Sequence, residues 1–192
     1  MEKINKNNKI IVFCGPSGSG KNTILKKVME EIPELMFYVS ATSRPIREGE
    51  KNGVDYNFLS KEEFENKIQN NEFVEWEEVY GSQFYGTLKS EIERIQDSGK
   101  IPVSDIDVKG AMNIKSFYLE NALVVFIKAP LEIIRERLIA RGTESVDKVE
   151  MRIARFEEEF SYENKCDVVI ENIDLEEAVQ KAVLKIQEFL AK

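Results

Sequence analysis

The chain has 192 residues, 42% of them hydrophobic, enough for one sizeable buried core and too many for a disordered segment. Its 27 Lys and Arg against 35 Asp and Glu leave a net charge of −8, which argues against general nucleic-acid binding. With no histidine and only two cysteines, Ser/His and Cys/His nucleophiles, most zinc sites and a disulfide framework fall away.

The stretch Met1 to Lys6 has no apolar signal region, and no apolar run approaches the ~18 residues needed to cross a membrane. The expectation is a cytoplasmic protein that contacts no membrane. Ile10–Cys14 reads as a strand that runs into Gly15-Pro16-Ser17-Gly18-Ser19-Gly20-Lys21 and then a helix to about Ile32, with Leu25, Val28 and Ile32 buried and Pro33 as its stop. The glycines let the backbone bend with its N–H groups turned inward, an anion nest at a helix N-terminus, and Lys21 adds a movable charge for outer phosphates. The run matches G-x-x-x-x-G-K-[ST] except at the last position, where Asn22 stands and Thr23 follows. A Gly-rich turn before an ordinary helix is the plain alternative; strand, spacing and lysine together speak against it. Phosphoryl transfer also tolerates the lack of histidine, because it rests on positioning and charge stabilisation.

Phe37–Ser40 reads as a short strand, and residues 41–58 as loop broken by Pro and Gly. Arg44 and Arg47 on that loop suit a phosphate clamp, although taken on their own they read better as solvated surface charge. Ser60 and Glu63 form a capping box for a helix to about Asn70. Residues 71–80 alternate like a strand, Gly81-Ser82 turns, and Phe84–Thr87 follows. A strand carboxylate beside aromatic residues suits a guanine base, since it accepts from both N1–H and the N2 amino group. An isolated glutamate there is otherwise ordinary strand surface.

Leu88 to Ser98 reads as helix ending at Gly99, and Ile101–Asp107 as a core strand. Asp105 and Asp107 lie at its C-terminal end, which in a parallel sheet faces the ligand crevice, the phosphate loop and any Mg²⁺. Leu123–Ile127 is a buried strand closed by Lys128-Ala129-Pro130. From Leu131 the chain is helical and arginine-rich: Arg135, Arg137, Arg141, Arg152 and Arg155, with a break at Gly142-Thr143. Leu131, Ile134 and Leu138 form an apolar stripe, and Arg137 and Arg141 share a face. This segment suits a lid over a polyphosphate or a surface hairpin salt-bridged through Glu136, Glu157, Glu158 and Glu159. Asp167–Asn172 reads as a last strand. An amphipathic helix follows from Leu175 to Ala191, with Leu175, Ala178, Val179, Ala182, Val183, Ile186 and Leu190 inward.

Asp107-Val108-Lys109-Gly110 and Asn164-Lys165-Cys166-Asp167 imitate the D-x-x-G and N-K-x-D motifs of a regulatory GTPase. A base-reading N-K-x-D must follow an apolar strand; here it precedes one, so that reading fails.

Taken together, Gly15 to Lys21, Ser40-x-x-x-Arg44-x-x-Arg47-x-Gly49-Glu50-x-x-Gly53-x-Asp55-Tyr56, Glu72-Phe73-x-Glu75-Trp76, Tyr85-Gly86-Thr87, Asp105-Ile106-Asp107-x-x-Gly110, Arg141-Gly142-Thr143-Glu144 and Glu171-Asn172 resemble guanylate kinase over nearly the whole chain from about Lys9. The resemblance implies one α/β domain: a P-loop parallel-sheet core flanked by helices (about 9–37, 88–130 and 164–192), an inserted mixed α/β GMP-binding lobe (about 38–87) and a helical lid (about 131–163). It implies transfer of the γ-phosphoryl group of ATP to GMP or dGMP with Mg²⁺, by a monomer or homodimer. By position, Gly15, Pro16, Ser17, Gly18, Ser19, Gly20, Lys21, Asn22 and Thr23 would wrap the ATP phosphates, and Asn172 would lie at adenine. Ser40, Arg44, Arg47 and Tyr56 would hold the GMP phosphate. Glu75 and Thr87 would read guanine, assisted by Tyr85, with Asp105 and Asp107 completing the site. Lys21, Arg47, Arg141 and Arg152, with Arg137 beside them, would stabilise the moving phosphoryl group.

The departures are Asn22, which lacks the hydroxyl expected beside Mg²⁺ (a role left to Asn22 itself, Thr23 or water), and Ser104, a polar residue within a core strand. A non-catalytic, protein-binding module of the same family is the rival from another class; the intact loop, Lys21 and arginines oppose it. A kinase for another nucleoside monophosphate is the nearer rival, set apart by Glu75 and Thr87.

Overall fold

The computed structural model describes residues 8–79, 83–140 and 156–192, the side chains of Leu138 and Ala140 excepted. In chain order these form β1 (Ile10–Cys14), α1 (Lys21–Glu31), β2 (Leu35–Phe37), β3 (Ala41–Thr42), β4 (Asn57–Phe58), α2 (Lys61–Gln69), β5 (Phe73–Val79) and β6 (Gln83–Leu88). There follow α3 (Lys89–Asp97), β7 (Ile101–Asp105), α4 (Val108–Tyr118), β8 (Ala122–Lys128), α5 (Leu131–Ala140), α6 (Phe156–Phe160), β9 (Val168–Glu171) and α7 (Leu175–Leu190).

Five strands make a parallel sheet in the order β2-β7-β1-β8-β9. Parallel neighbours need crossover helices, so helices cover both faces and the central strands are apolar on both sides. The period of two sorts their side chains between two cores. Ile11, Phe13, Leu123, Val125 and Ile127 pack toward α1 and α7. Ile10, Val12, Cys14, Ala122, Val124 and Phe126 pack toward α3 and α4. Ser104 is buried within this sheet.

The second sheet, β4-β3-β6-β5, is mixed and smaller. Its core is Ala41, Phe64, Phe73, Phe84 and Leu88, with Phe64 of α2 stacked on Phe73 at 4.3 Å and on Phe84 at 5.4 Å. The expected capping box starts α2: the Glu63 N–H donates to Ser60 Oγ (3.1 Å), and the Ser60 N–H to Glu63 Oε2 (2.6 Å).

Several expectations need correction. The strand expected at 37–40 lies at Leu35–Phe37, because beyond Tyr38, whose N–H still reaches the Val103 carbonyl (3.0 Å), the chain leaves the first sheet for the second. The stretch expected as loop, 41–58, carries β3 and β4, two residues each and too short to show a period. Helix α4 has no counterpart among the expected elements: Gly110 and the loop-like D-x-x-G run mask a helix whose Val108, Ala111 and Ile114 are buried. Strand β7 therefore stops at Asp105, and Asp107 is the N-cap of α4, accepting from the Lys109 (2.8 Å) and Gly110 (3.0 Å) N–H groups. Leu88 ends β6 instead of starting a helix. In α5, Ile134 is buried but Leu131 is exposed. Asn164–Asp167 precedes β9 instead of following a strand, as the rejection of the GTPase reading requires.

Candidate active site

The first half of the site is made of backbone. Gly15 (φ 122°) turns the chain out of β1 where a Cβ would overlap the Ile127 carbonyl oxygen, so the turn needs glycine. At Gly20 (φ 96°) α1 begins without a side-chain cap, the arrangement that leaves a helix N-terminus to an incoming anion. Lys21 Nζ donates to the Gly15 (2.8 Å) and Pro16 (3.1 Å) carbonyls, which holds its charge across the loop. Behind the loop, Asn172 Nδ2 donates to the Ser19 carbonyl (2.6 Å), and Arg137 of α5 reaches the same carbonyl (3.3 Å) and that of Asn172 (3.2 Å). Asn172 Oδ1 and Ser19 Oγ are buried there without a hydrogen-bond partner. Asn22 and Thr23 are exposed on the first turn of α1.

The second half is made of side chains. Arg44 is 5% exposed and paired bidentately with Glu50 (2.7 and 2.6 Å), its guanidinium between the Tyr56 and Phe58 rings at 5.0 and 5.4 Å. That hydrogen-bonded pair raises Arg44 further above its ordinary value and holds Glu50 down at about 2. The Arg47 N–H also donates to Glu50 (2.8 Å), while the Arg47 side chain is exposed. Tyr56 meets Tyr85 edge-on at 5.9 Å. On the facing pair β5 and β6, the Thr87 hydroxyl donates to Glu75 Oε1 at 2.7 Å. Glu75 is 9% exposed, and burial pushes its carboxyl up to about 7, the Thr87 hydrogen bond opposing the rise. A Cβ on Gly110 would come within 3.2 Å of Glu75 Oε2 and 3.6 Å of Asp107 Oδ2, so α4 approaches the carboxylates closely because it has glycine there.

One cleft of about 350 Å³ joins the halves. Gly15, Ser17 and Lys21 line one wall, Ser40, Tyr56, Glu75, Tyr85 and Gly86 the other, and Asp105, Ile106 and Asp107 the floor. Burial raises the Asp105 carboxyl, and the nearby Lys21 ammonium pulls it back down. Thr87 and Arg44 stand directly behind the lobe wall through their bonds to Glu75 and contact with Tyr56.

A guanylate kinase family model matches residues 7–191. The chain belongs to the guanylate kinase family. It is 50% identical to the guanylate kinase of Bacteroides fragilis over 183 residues, covering 95% of this chain and 90% of that one. It is 44% identical to the guanylate kinase of Salinibacter ruber, with 95% and 97% covered. The crystal structure of guanylate kinase from Anaplasma phagocytophilum superposes with a TM-score of 0.76 at 31% identity, covering 96% of this chain and 87% of that one.

Three contributors to the candidate site have no role assigned from the sequence. Glu50 orients Arg44, and its signal is an acid after a Gly within the arginine loop. Gly110 permits the approach of α4, and Glu159 of α6 closes one side of the cleft. The ion pairs Lys109–Glu158 (2.9 Å) and Lys128–Glu163 (2.8 Å) tie the segment around α6 to the core. Arg141, Arg152, Arg155 and the Gly142-Thr143 break lie outside the described residues. Among the described residues, no three carboxylate or thiol side chains gather to hold a metal ion, and no helix is long and apolar enough to cross a membrane.

Proposed function

We propose that this chain transfers the γ-phosphoryl group of ATP to GMP (or dGMP), giving ADP and GDP, in purine nucleotide metabolism and GMP recycling. The carrying observation is one cleft with the Lys21 phosphate loop on one wall and Glu75, held by Thr87 behind it, on the other. In this reading the nest Gly15 to Thr23 wraps the ATP phosphates, and Asn172 supports the nest from behind near adenine. Arg44, pre-aimed by Glu50 and the two rings, holds the GMP phosphate with Ser40, Arg47 and Tyr56. Ionised Glu75 accepts the guanine N1–H and N2 amino hydrogens, Thr87 fixes its orientation, Tyr85 lines the base site, and Asp105 and Asp107 complete the floor. Lys21, Arg47, Arg137, Arg141 and Arg152 supply positive charge as the phosphoryl group moves, so that positioning and charge carry the reaction.

Mg²⁺ fits as a companion of ATP. Hard oxygen donors stand at the loop (Asn22 or Thr23, exposed on α1) and on the floor, too few for an all-protein cage and suited to an ion that keeps waters and phosphate oxygens. When bound, it would neutralise phosphate charge. We place the core at about 9–37, 88–130 and 164–192, the GMP lobe at about 38–87 and the lid at about 131–163, in a cytoplasmic monomer or homodimer. The intact loop, Lys21 and Arg44 count against a non-catalytic binding module. A coupled assay offering ATP with GMP, AMP, UMP and dTMP tests the reading: transfer confined to guanine nucleotides is expected, and equal use of AMP or no transfer at all overturns it.

A further inference from the structure

The mechanism uses neither cysteine, yet the fold brings both together. Cys14 Sγ and Cys166 Sγ are 3.8 Å apart although 152 residues separate them in sequence, and both are free thiols. Cys14 is fully buried at the end of β1, directly before Gly15. Cys166 is half-buried in the turn entering β9 and hydrogen-bonds the Tyr162 carbonyl (3.3 Å).

We propose that Cys14 and Cys166 form an oxidation site, in which hydrogen peroxide converts the pair into an intrachain disulfide that ties the root of the phosphate loop to the turn before β9 and slows turnover. The two thiols divide the work. Buried Cys14 stays protonated and its S–H can donate to the Cys166 sulfur, which eases loss of the Cys166 proton now shared with the Tyr162 carbonyl. The Cys166 thiolate is also the more accessible, so it attacks first. Its sulfur forms an S–O bond as the peroxide O–O bond breaks, and the departing oxygen takes a proton and leaves as water. Cys14 sulfur then attacks the Cys166 sulfenic acid: the S–S bond forms, the S–O bond breaks, and the hydroxyl leaves with the Cys14 proton as a second water. Two thiols are oxidised by two electrons and one hydrogen peroxide is reduced by two.

Bond formation must draw the sulfurs from 3.8 Å to about 2.05 Å. Cys14 has little freedom, since β1 is hydrogen-bonded between β7 and β8 and Gly15 abuts the Ile127 carbonyl. Movement therefore falls on the turn at Cys166, whose neighbours Tyr162 and Glu163 hold the end of the segment proposed as the lid. The kinetic consequence rests on the phosphoryl-transfer reading above; the covalent step does not.

The test treats full-length protein with hydrogen peroxide and follows intact mass, titratable thiols and a non-reducing peptide map, with ATP-to-GMP turnover measured in parallel. Wild type should lose two hydrogens and both thiols, with a peptide joining Cys14 to Cys166, and kcat should fall roughly fivefold or more and return with dithiothreitol. Cys166→Ser should keep its reduced-state kcat and resist inactivation. Cys14→Ala should give a Cys166 sulfenic acid that a dimedone probe captures; Cys14→Ser serves if the alanine variant does not fold. Separate sulfinic acids, bonds only between chains, or an oxidised wild type with unchanged kcat would overturn the proposal. A reduced wild type inactive toward GMP would instead remove the activity reading, while the mass and peptide results still decide the disulfide.

Discussion

The two walls of the cleft are built in different ways. The phosphate-loop wall is backbone: glycines at positive φ, an uncapped helix start and carbonyls that hold Lys21, all set on a sheet buried on both faces. The lobe wall is side chain: Arg44 on Glu50 and two rings, Glu75 on Thr87, carried by a small sheet that packs on α2 through a cluster of five buried apolar residues. Backbone nests bind any phosphate but do not distinguish bases, whereas placed side chains select and can also be deleted singly. Substitutions on the first wall should therefore damage turnover, and those on the second should damage choice and affinity for the acceptor.

The largest effect is expected at Lys21→Ala. Removing a charge aimed at the transferring group should cost about 10³-fold in kcat with an unchanged melting temperature. Retention of more than about a tenth of the wild-type rate would separate Lys21 from the chemistry.

Glu75→Gln comes next. The amide presents a donor or a single acceptor where the base offers two N–H groups, so kcat/KM for GMP should fall about a hundredfold, on the order of 3 kcal/mol. Stability should move the other way. The folded carboxyl titrates near 7, against an ordinary value of 4.5. Below that ordinary value both states are protonated and burial carries no charge penalty. Between the two values the unfolded state releases its proton first, so wild type loses stability as pH rises, and above about 7 the loss is complete. The Gln variant escapes this, so its advantage in thermal melts should grow from pH 5 to pH 8 and reach roughly 1–3 kcal/mol. Equal melting curves at both pH values would show that Glu75 ionises as easily folded as unfolded. The same titration predicts that wild-type kcat/KM for GMP falls on the acid side of about pH 7.

Arg44→Ala should raise KM for GMP about tenfold while kcat changes less, since in the proposed reading Arg44 holds the acceptor and not the moving group. Steady-state kinetics showing a kcat defect with normal KM would erase the contrast between the walls. Asn22→Ser should have the smallest effect: a lower Mg²⁺ concentration for half-maximal rate at saturating ATP and GMP, with GMP KM unchanged. A Mg²⁺ titration in which the two proteins coincide would leave Asn22 outside the metal's shell.

The backbone wall is legible in the amino-acid sequence itself, because an apolar run, three glycines and a lysine at fixed spacing impose strand, nest and helix. So are β8, the capping box of α2 and most of the buried stripe of α7, whose periods are long enough to read; Phe189, also buried there, lies outside the expected stripe. The side-chain wall is only partly legible. Glu75 meets Thr87 through a register shift between Phe73 and Glu75, and Glu50 reaches Arg44 through a turn; neither leaves a period in the sequence. Two-residue strands such as β3 are stabilised by their neighbours, so their own residues scarcely announce them. Helix α4 hides because its glycine, the residue that lets Glu75 and Asp107 come close, looks like a loop signal.

The bond from Asn172 to the Ser19 carbonyl spans 153 residues, and β1 pairs with β7 and β8. The phosphate loop is encoded near the start of the chain but is buttressed from near its end. During synthesis the glycine loop leaves the ribosome early, while the strands and the amide that fix its shape emerge many seconds later at about 5–20 residues per second. A polypeptide halted after β7 carries the motif without the β8 strand and the Asn172 amide that brace it.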